Sequence, residues 1–531
     1  MIRRLLRAGF GIGLLVTVAV TGLAYLGSRT MGLSFLPFDL ADLVIAATPG
    51  KIATQGIENL GHLAKYGLEF GNIIAFIALG ALLGFAAHSF QRRFKLRWSI
   101  LATVAGLVVA ALLLSLHLVW SASFAPGDTH VYSPLVLAIL VGLGLVWGAA
   151  FAFIQRRASQ ADVFPPAETT VSSATARPNV SLDRRAFLQR STATMIVVAV
   201  GSTGIAELLR RTETAGASLL NPSTGATPSA TNVGPTFMSA PGMRPHHTTA
   251  NTLYTVASRT RDPVVDPASY RLVVDGAVKH PLMLMLSDLQ RRLRIDQTST
   301  LQCVSNDIGG DLIGNVNWNG TSLKALLEEA GLQAGATHLV FHGAEGYVDS
   351  IPLDIARLPT TLLVYGIDGQ PLPRPHGFPV RVIIPTIYGM KNVKWLQRIE
   401  VITSDFSGYW QDRGWSNTAV VKTTSAIDTR DHFQRENGKV PLGGIAFAGD
   451  RGVTGVEVQI DDGTWQPAVL EAAQTKPQWR FWRYDWAATP GAHTVKVRAV
   501  DGKGQPQPSQ VTAPHPDGAS GYHTIKVQIA A

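Results

Sequence analysis

Cys303 is the only cysteine among 531 residues. A single cysteine cannot close a disulfide within the chain or form half of a CxxC metal or haem-attachment motif, so its thiol has to be read alone. Three settings are open to it: a small buried hydrophobe, a nucleophile, or the one protein thiolate on a metal whose other ligands come from elsewhere. Its neighbours weigh against inert packing. Thr300 and Leu301 read as the end of a strand, and Asn306, Asp307, Gly309, Gly310 and Asp311 follow at once. Such a run turns the backbone sharply and leaves amides free to face a ligand. A thiol at that junction opens onto a cleft.

The run LQCVSN-x-x-GG, with WNGTSLKALLEEAG after it and PLPRPHGFPVRVIIPTIYGMKNVKWLQRIEV further on, resembles the sulfite oxidase family of molybdopterin-dependent oxidoreductases. The resemblance extends from roughly Tyr254 onward. It implies a mixed α/β cofactor domain followed by an immunoglobulin-like sandwich, a molybdenum-molybdopterin cofactor, and Cys303 as the protein ligand to the metal, since thiolate is the soft protein donor. The phosphate tail needs cations, and the motifs HGFPVR and VKW place His376, Arg381 and Lys394 there, with Lys391 as a nearby cation. Arginine offers a planar fork and lysine a point charge, both suited to phosphate oxygens. Asn306 matches a position three residues after the cysteine, and Arg259, in YTVASR, falls at the cofactor edge.

Two departures from the family pattern bear on chemistry. Sulfite-oxidising members follow the CxxN element with consecutive arginines, where this chain has Asp307 and Ile308. They also carry a tyrosine shortly after a WQ pair, next to the metal's open position, where WQDRGWS puts Trp415. An anion approaching Asp307 is repelled, so the expected reaction is oxygen-atom transfer on a neutral or zwitterionic S-oxide or N-oxide. Arg413 supplies local positive charge and keeps sulfite oxidation as the alternative.

These residues must be carried by elements that the rest of the chain supplies. Charged residues make up only 16% of the chain and hydrophobic ones 46%, which points to a membrane portion. The net charge of +9 comes without any clustered basic recognition helix, so nucleic acid is not an expected partner. Four apolar runs, Phe10–Leu26, Phe70–Phe90, Ile100–Trp120 and Leu135–Ile154, are each long enough to cross a bilayer. Arg3, Arg4 and Arg7, then Arg92, Arg93, Lys95 and Arg97, then Arg156 and Arg157 alternate along them, so both ends of the bundle are predicted to be cytoplasmic. His88 and His117 fall near opposite ends of their spans, too far apart in depth to share a haem. SLDRRAFLQRS and the apolar run Thr192–Leu209 resemble an internal twin-arginine export signal, and a fifth span there delivers the following residues to the outer side of a bacterial membrane.

The expected organisation is a four-helix transmembrane region over 1–157, a linker over 158–182, the signal and fifth span over 183–212, and a flexible linker over 213–250. A molybdopterin-binding α/β domain follows over 251–420, then a seven-stranded immunoglobulin-like β-sandwich over 421–531. In the α/β domain, strands are predicted at Tyr254–Arg259, Tyr270–Asp275, His338–His342, Thr361–Tyr365 and Arg381–Pro385, with helices at Leu282–Leu293 and Ser322–Ala330. The implied partners are a small-molecule substrate, a membrane-associated quinone or haem protein that exchanges electrons, and a second copy through the C-terminal domain. Two other function classes stand beside the enzyme: a non-catalytic membrane interaction protein that keeps the cofactor fold, and a thiol nucleophile using Cys303 with His376 as base.

Overall fold

The computed structural model describes residues 9–30, 35–48, 52, 62–124, 133–160, 184–216, 237–260, 262–472 and 477–530. Most of the two expected linkers lies outside these residues. The chain divides into two compact units, the N-terminal helices and a second unit containing Ser223–Ala531.

In the first unit, α1 (Phe10–Thr30), α2 (Leu36–Ala47), α3 (His62–Phe94), α4 (Trp98–Phe124), α5 (Pro134–Gln160) and α6 (Arg184–Gly216) follow one another. Among the described residues, four helices are long and apolar enough to cross a membrane: Phe10–Ser28, Tyr66–Phe94, Trp98–Ser123 and Pro134–Ser159. They coincide with the four runs read from the sequence. The expected fifth span, Thr192–Leu209, lies within the helix α6, part of which falls outside the residues whose side chains are described. Helices α4 and α5 approach so closely that a Cβ at Gly144 would meet the Ala110 backbone at 2.5 Å, as expected where small residues let helix backbones meet. Two polar pairs lie inside the bundle: Trp147 Nε1 donates to Thr17 Oγ1 (2.8 Å), and His88 Nδ1 meets Gln155 Nε2 at 2.8 Å. The short helix α2, unanticipated in the sequence, buries Asp39 and Asp42, and Trp120 Nε1 reaches Asp42 Oδ2 at 3.3 Å.

The second unit begins with two five-stranded sheets, one mixed and one antiparallel. One has the order β2 (Leu282–Leu284), β1 (Leu272–Gly276), β10 (Leu396–Ile402), β5 (His338–Gly343), β6 (Val348–Pro352), with β1 and β10 parallel and the other pairs antiparallel. The other has β3 (Ile295–Gln302), β4 (Ile313–Ser322), β7 (Leu362–Ile367) and β8 (Gln370–Pro371), and β9 (Arg381–Ile383) also pairs with β7. Helix α8 (Leu323–Ala330) starts at Ser322, whose hydroxyl accepts from Ala325 N, the cap expected of such a residue. Two predictions fail here. Tyr254–Arg259 is irregular backbone, and Leu282–Leu293 is β2 followed by α7 (Leu286–Gln290). Pairing with β1 draws Leu282–Leu284 into the sheet, and the Asp288 carboxylate accepts the Met285 N–H, starting the helix only there.

The remainder is all β, in two four-stranded sheets. β11 (Thr424–Ile427), β12 (Val440–Phe447), β16 (Arg480–Trp486) and β15 (Val469–Leu470) form one; β14 (Gln466–Pro467), β13 (Val453–Ile460), β17 (Gly491–Asp501) and β18 (His523–Ile529) form the other. Eight strands stand where seven were expected, with β14 and β15, one residue apart, on different sheets. Trp482 and Trp486 fill this domain's core, whereas Trp479 packs into the core of the α/β domain. Residues 237–250 correct the linker boundary. They form a strap laid along both domains: Thr248 N donates to Asn315 O, Trp479 Nε1 donates to His246 O, and Arg244 makes a two-toothed ion pair with Asp428. Their Pro- and Thr-rich composition reads as linker because an extended strap has no hydrophobic period.

Candidate molybdopterin site

Cys303 opens the loop that joins β3 to β4. The register pairs Gln302 with Ile313, and the loop is closed by its own bonds: Cys303 N to Leu312 O at 2.9 Å, and Leu312 N to Asn306 Oδ1 at 2.8 Å. Asn306 therefore braces the loop, its amide oxygen committed to the chain. The Cys303 thiol lies 3.1 Å from Ser305 Oγ. It is buried, and burial pushes its pKa up, against the opposing pull of hydrogen bonds from Ser305 and Val304.

Beside it lies a buried cation. Arg381, on β9, donates to the carbonyls of His376 (3.1 Å) and Asn392 (3.3 Å) and lies over the Trp318 ring. Among the described residues it meets no carboxylate, and burial lowers its pKa to about 10. A guanidinium in that position is costly unless an anion joins it. Tyr254, in the irregular segment that replaces the expected strand, feels both the Cys303 thiol and Arg381, and burial raises its pKa well above the usual range. Tyr254 Oη, Gln302 Oε1 and Arg381 Nε are buried with no hydrogen-bond partner among the described residues. Buried polar atoms are nearly always paired, so three orphans around one thiol fit a polar, anionic ligand.

His376, Gly377 and Lys394 complete this wall. His376 Nε2 donates to Ala250 O at 2.7 Å, and burial, Arg381 and Lys394 hold its pKa down at about 4. Gly377 has φ +107°, and a Cβ there would press on both Arg381 and Lys394, so the backbone conformation that favours glycine lets the two cations converge. Lys394 Nζ donates to Pro375 O and lies 4.1 Å from the Trp395 ring centroid. Arg259 Nε donates to Glu345 O at 3.3 Å. The Glu345 carboxyl, buried beside Lys394 and Arg259, is pushed up to about 8 by burial.

Lys391 departs from the sequence expectation. Its ammonium is buried and donates to Asp349 Oδ1 (2.8 Å), Ser350 O (2.8 Å) and Asn417 Oδ1 (3.1 Å). An ammonium has three hydrogens, and all three are used within the protein, so Lys391 holds loops together and has none left for a phosphate.

The nucleophile alternative also loses support. His376 is a weak base whose Nε2 proton is engaged by Ala250, and the Cys303 thiol is raised where a nucleophile is lowered. Among the described residues there is no cluster of three His, Cys, Asp or Glu that could hold a metal; a metal held by Cys303 would need its other ligands from a bound cofactor.

A second group, Trp415 and Arg413, sits on the loop after β10. Trp415 is buried between the edges of Trp410 and His515, and its Nε1 has no partner among the described residues. The Arg413 guanidinium lies 3.8 Å from the Tyr409 ring centroid, and Arg259 lies at 6.0 Å from the same ring. The sequence reading missed Tyr254, Gln302, Trp318 and Tyr409. Gln302 is legible only from its place next to Cys303, and the three aromatics only from the fold.

The model for the oxidoreductase molybdopterin binding domain matches residues 259–410. Sulfite oxidase of Gallus gallus is 31% identical over 316 residues, covering 50% of this chain and 68% of its own length. The chain belongs to the sulfite oxidase family of molybdopterin-dependent oxidoreductases. The mitochondrial sulfite oxidase of Homo sapiens is 33% identical over 317 residues, and the chain spans 58% of its length. An uncharacterized oxidoreductase of Bacillus subtilis, YuiH, is 33% identical over 150 residues, which is 28% of this chain and 74% of that protein. Among solved structures, the sulfane dehydrogenase SoxCD from Paracoccus pantotrophus has a TM-score of 0.49 at 21% identity, covering 54% of this chain and 82% of its own. Family membership implies the molybdenum cofactor, and the residues around Cys303 fit it.

Proposed function

We propose that this protein is a membrane-anchored oxidoreductase that removes an oxygen atom from a small neutral S-oxide or N-oxide outside the cytoplasmic membrane. Cys303 is the metal's protein ligand, Arg381, His376 and Lys394 hold the anionic tail, and Arg259 closes its edge. When bound, the molybdenum cofactor supplies two-electron oxygen-atom transfer. In the net reaction the S–O or N–O bond breaks, two electrons and two protons are consumed, and the reduced substrate and water are released. The electrons come from a quinol or a haem protein at the membrane.

The observation that carries this reading is the buried, unpartnered Trp415 Nε1. An indole N–H is a neutral donor that suits the oxygen of a neutral oxide and orients it, while Asp307, exposed on the Cys303 loop, disfavours anions. The second reading is sulfite oxidation, favoured by Arg413 and Arg259 beside Tyr409 and by the relatives that are sulfite oxidases. The four apolar helices anchor the protein, the twin-arginine-like SLDRRAF motif exports the folded domain, and the C-terminal sandwich, read as immunoglobulin-like, pairs two copies.

The deciding experiment measures molybdenum content in wild type and Cys303→Ala after expression in a host that makes the cofactor, then turnover of sulfoxide, amine N-oxide and sulfite with artificial electron carriers. Stoichiometric metal and faster turnover of the neutral oxides support the reading. Sulfite turnover exceeding both oxides establishes the second reading, and a metal-free wild type establishes the non-catalytic interaction protein.

A further inference from the structure

The Cys303 loop is held from outside its own domain. Arg430, after β11, donates from Nη2 to Gly309 O at 3.1 Å. The His523 ring, at the start of β18, lies against Gly309, whose φ is +69°; a Cβ at that glycine would collide with the ring. His523 is itself fixed, since Ile427 N donates to its Nδ1 at 2.9 Å. A Cβ at Gly521 would meet Ile308 Cδ1 at 2.9 Å, and Arg244 reaches Asp311 at 3.8 Å from its seat on Asp428. Behind the loop, Thr300 on β3 receives Trp479 N on its hydroxyl and donates its own N–H to Pro477 O, each at 2.8 Å.

We infer that Arg430 and His523 of the all-β domain are positioning residues for Cys303, clamping the loop at Gly309 so that the thiol is held where a metal must find it. The loop's internal bonds fix its two ends, Cys303 to Leu312 and Asn306 to Leu312. Its middle, Asp307 to Gly310, has one internal backbone bond, from Gly310 N to Asp307 O, and short glycine-rich backbone of this kind has many accessible conformations. The external clamp removes them. First-ligand geometry of this sort is set by the groups behind the ligand, and here those groups belong to a different domain. The all-β domain therefore does more than offer a surface to a second copy.

The test uses the full chain, as wild type, Arg430→Ala and His523→Ala, and reads backbone hydrogen exchange from Cys303 to Leu312, Gly310 above all, with the β17 amides as an internal reference. The expected result is at least tenfold faster exchange in the loop with β17 unchanged, together with a loss of bound molybdenum. Should His523→Ala also expose β17, Arg430→Gln, which keeps the side-chain stem, decides. Loop exchange equal to wild type in the Arg430 variants overturns the inference. The inference rests on Cys303 being the metal's ligand only for the loss of metal; a metal-free wild type would remove that reading, whereas unchanged exchange removes the clamp.

Discussion

Lys391 Nζ lies 2.8 Å from Asp349 Oδ1, and the two side chains are 1% and 0% exposed. Asn417, two residues after Trp415, accepts a further Lys391 hydrogen, and the Tyr347 hydroxyl donates to Asp349 Oδ2 at 3.0 Å. The pair thus ties the turn before Lys394 to the loop that carries Trp415.

Removing one partner of such a pair strands the other charge, at a cost of about 3–5 kcal/mol. Lys391→Met and Asp349→Leu are each expected to lower the urea midpoint of the full-length protein strongly. The double substitution is expected to recover most of the loss, because two apolar groups of similar volume leave no charge behind. Two losses that simply add in the double-mutant cycle would show that the pair is not coupled.

His376 and His523 both have pKa values held near 4 by burial, with Arg381 and Lys394 beside the first and Arg430 and Arg244 beside the second. An unfolded histidine titrates near 6.5, so between these values the unfolded chain binds protons that the folded chain does not. Stability is expected to fall as pH drops from above 6.5 toward 4, by up to ~1.4 kcal/mol per pH unit for each histidine. His523→Gln should flatten the dependence when unfolding is followed from pH 7 to pH 4.5, and an unchanged slope would contradict the assignment.

Trp415→Phe removes a buried N–H and keeps most of the ring. A hydrogen bond made to substrate by that group is worth about 1–3 kcal/mol, so kcat/KM for a neutral oxide is expected to fall about fivefold or more while molybdenum content holds. Equal effects on sulfite and on the oxide would mean that the indole packs the loop without recognising oxygen.

The segments that carry chemistry were legible where local sequence decides the outcome. The turn after Gln302 is written in Asn306, Gly309 and Gly310, and the span lengths in long apolar runs. Asn306 and Lys391 were legible as polar residues at the right place, but their roles were not, because those depend on Leu312 and on Asp349 and Asn417, which only folding brings close. The Tyr254 segment reads as a strand by its alternation of apolar and polar residues, yet among the described residues no strand pairs with it. Its hydroxyl faces Cys303 instead. The strap over residues 237–250 was illegible for a different reason: its side chains bind two domains at once, and neither contact leaves a period in the sequence.

His523 reaches Gly309 across a long stretch of polypeptide, and this separation has a consequence for the order of manufacture. A ribosome makes the Cys303 loop well before β18, so during synthesis the loop exists without the ring that fixes it. Contacts between residues this distant form late. Cofactor loading is therefore expected to follow completion of the all-β domain, and a nascent chain stalled before residue 523 is expected to bind no molybdenum.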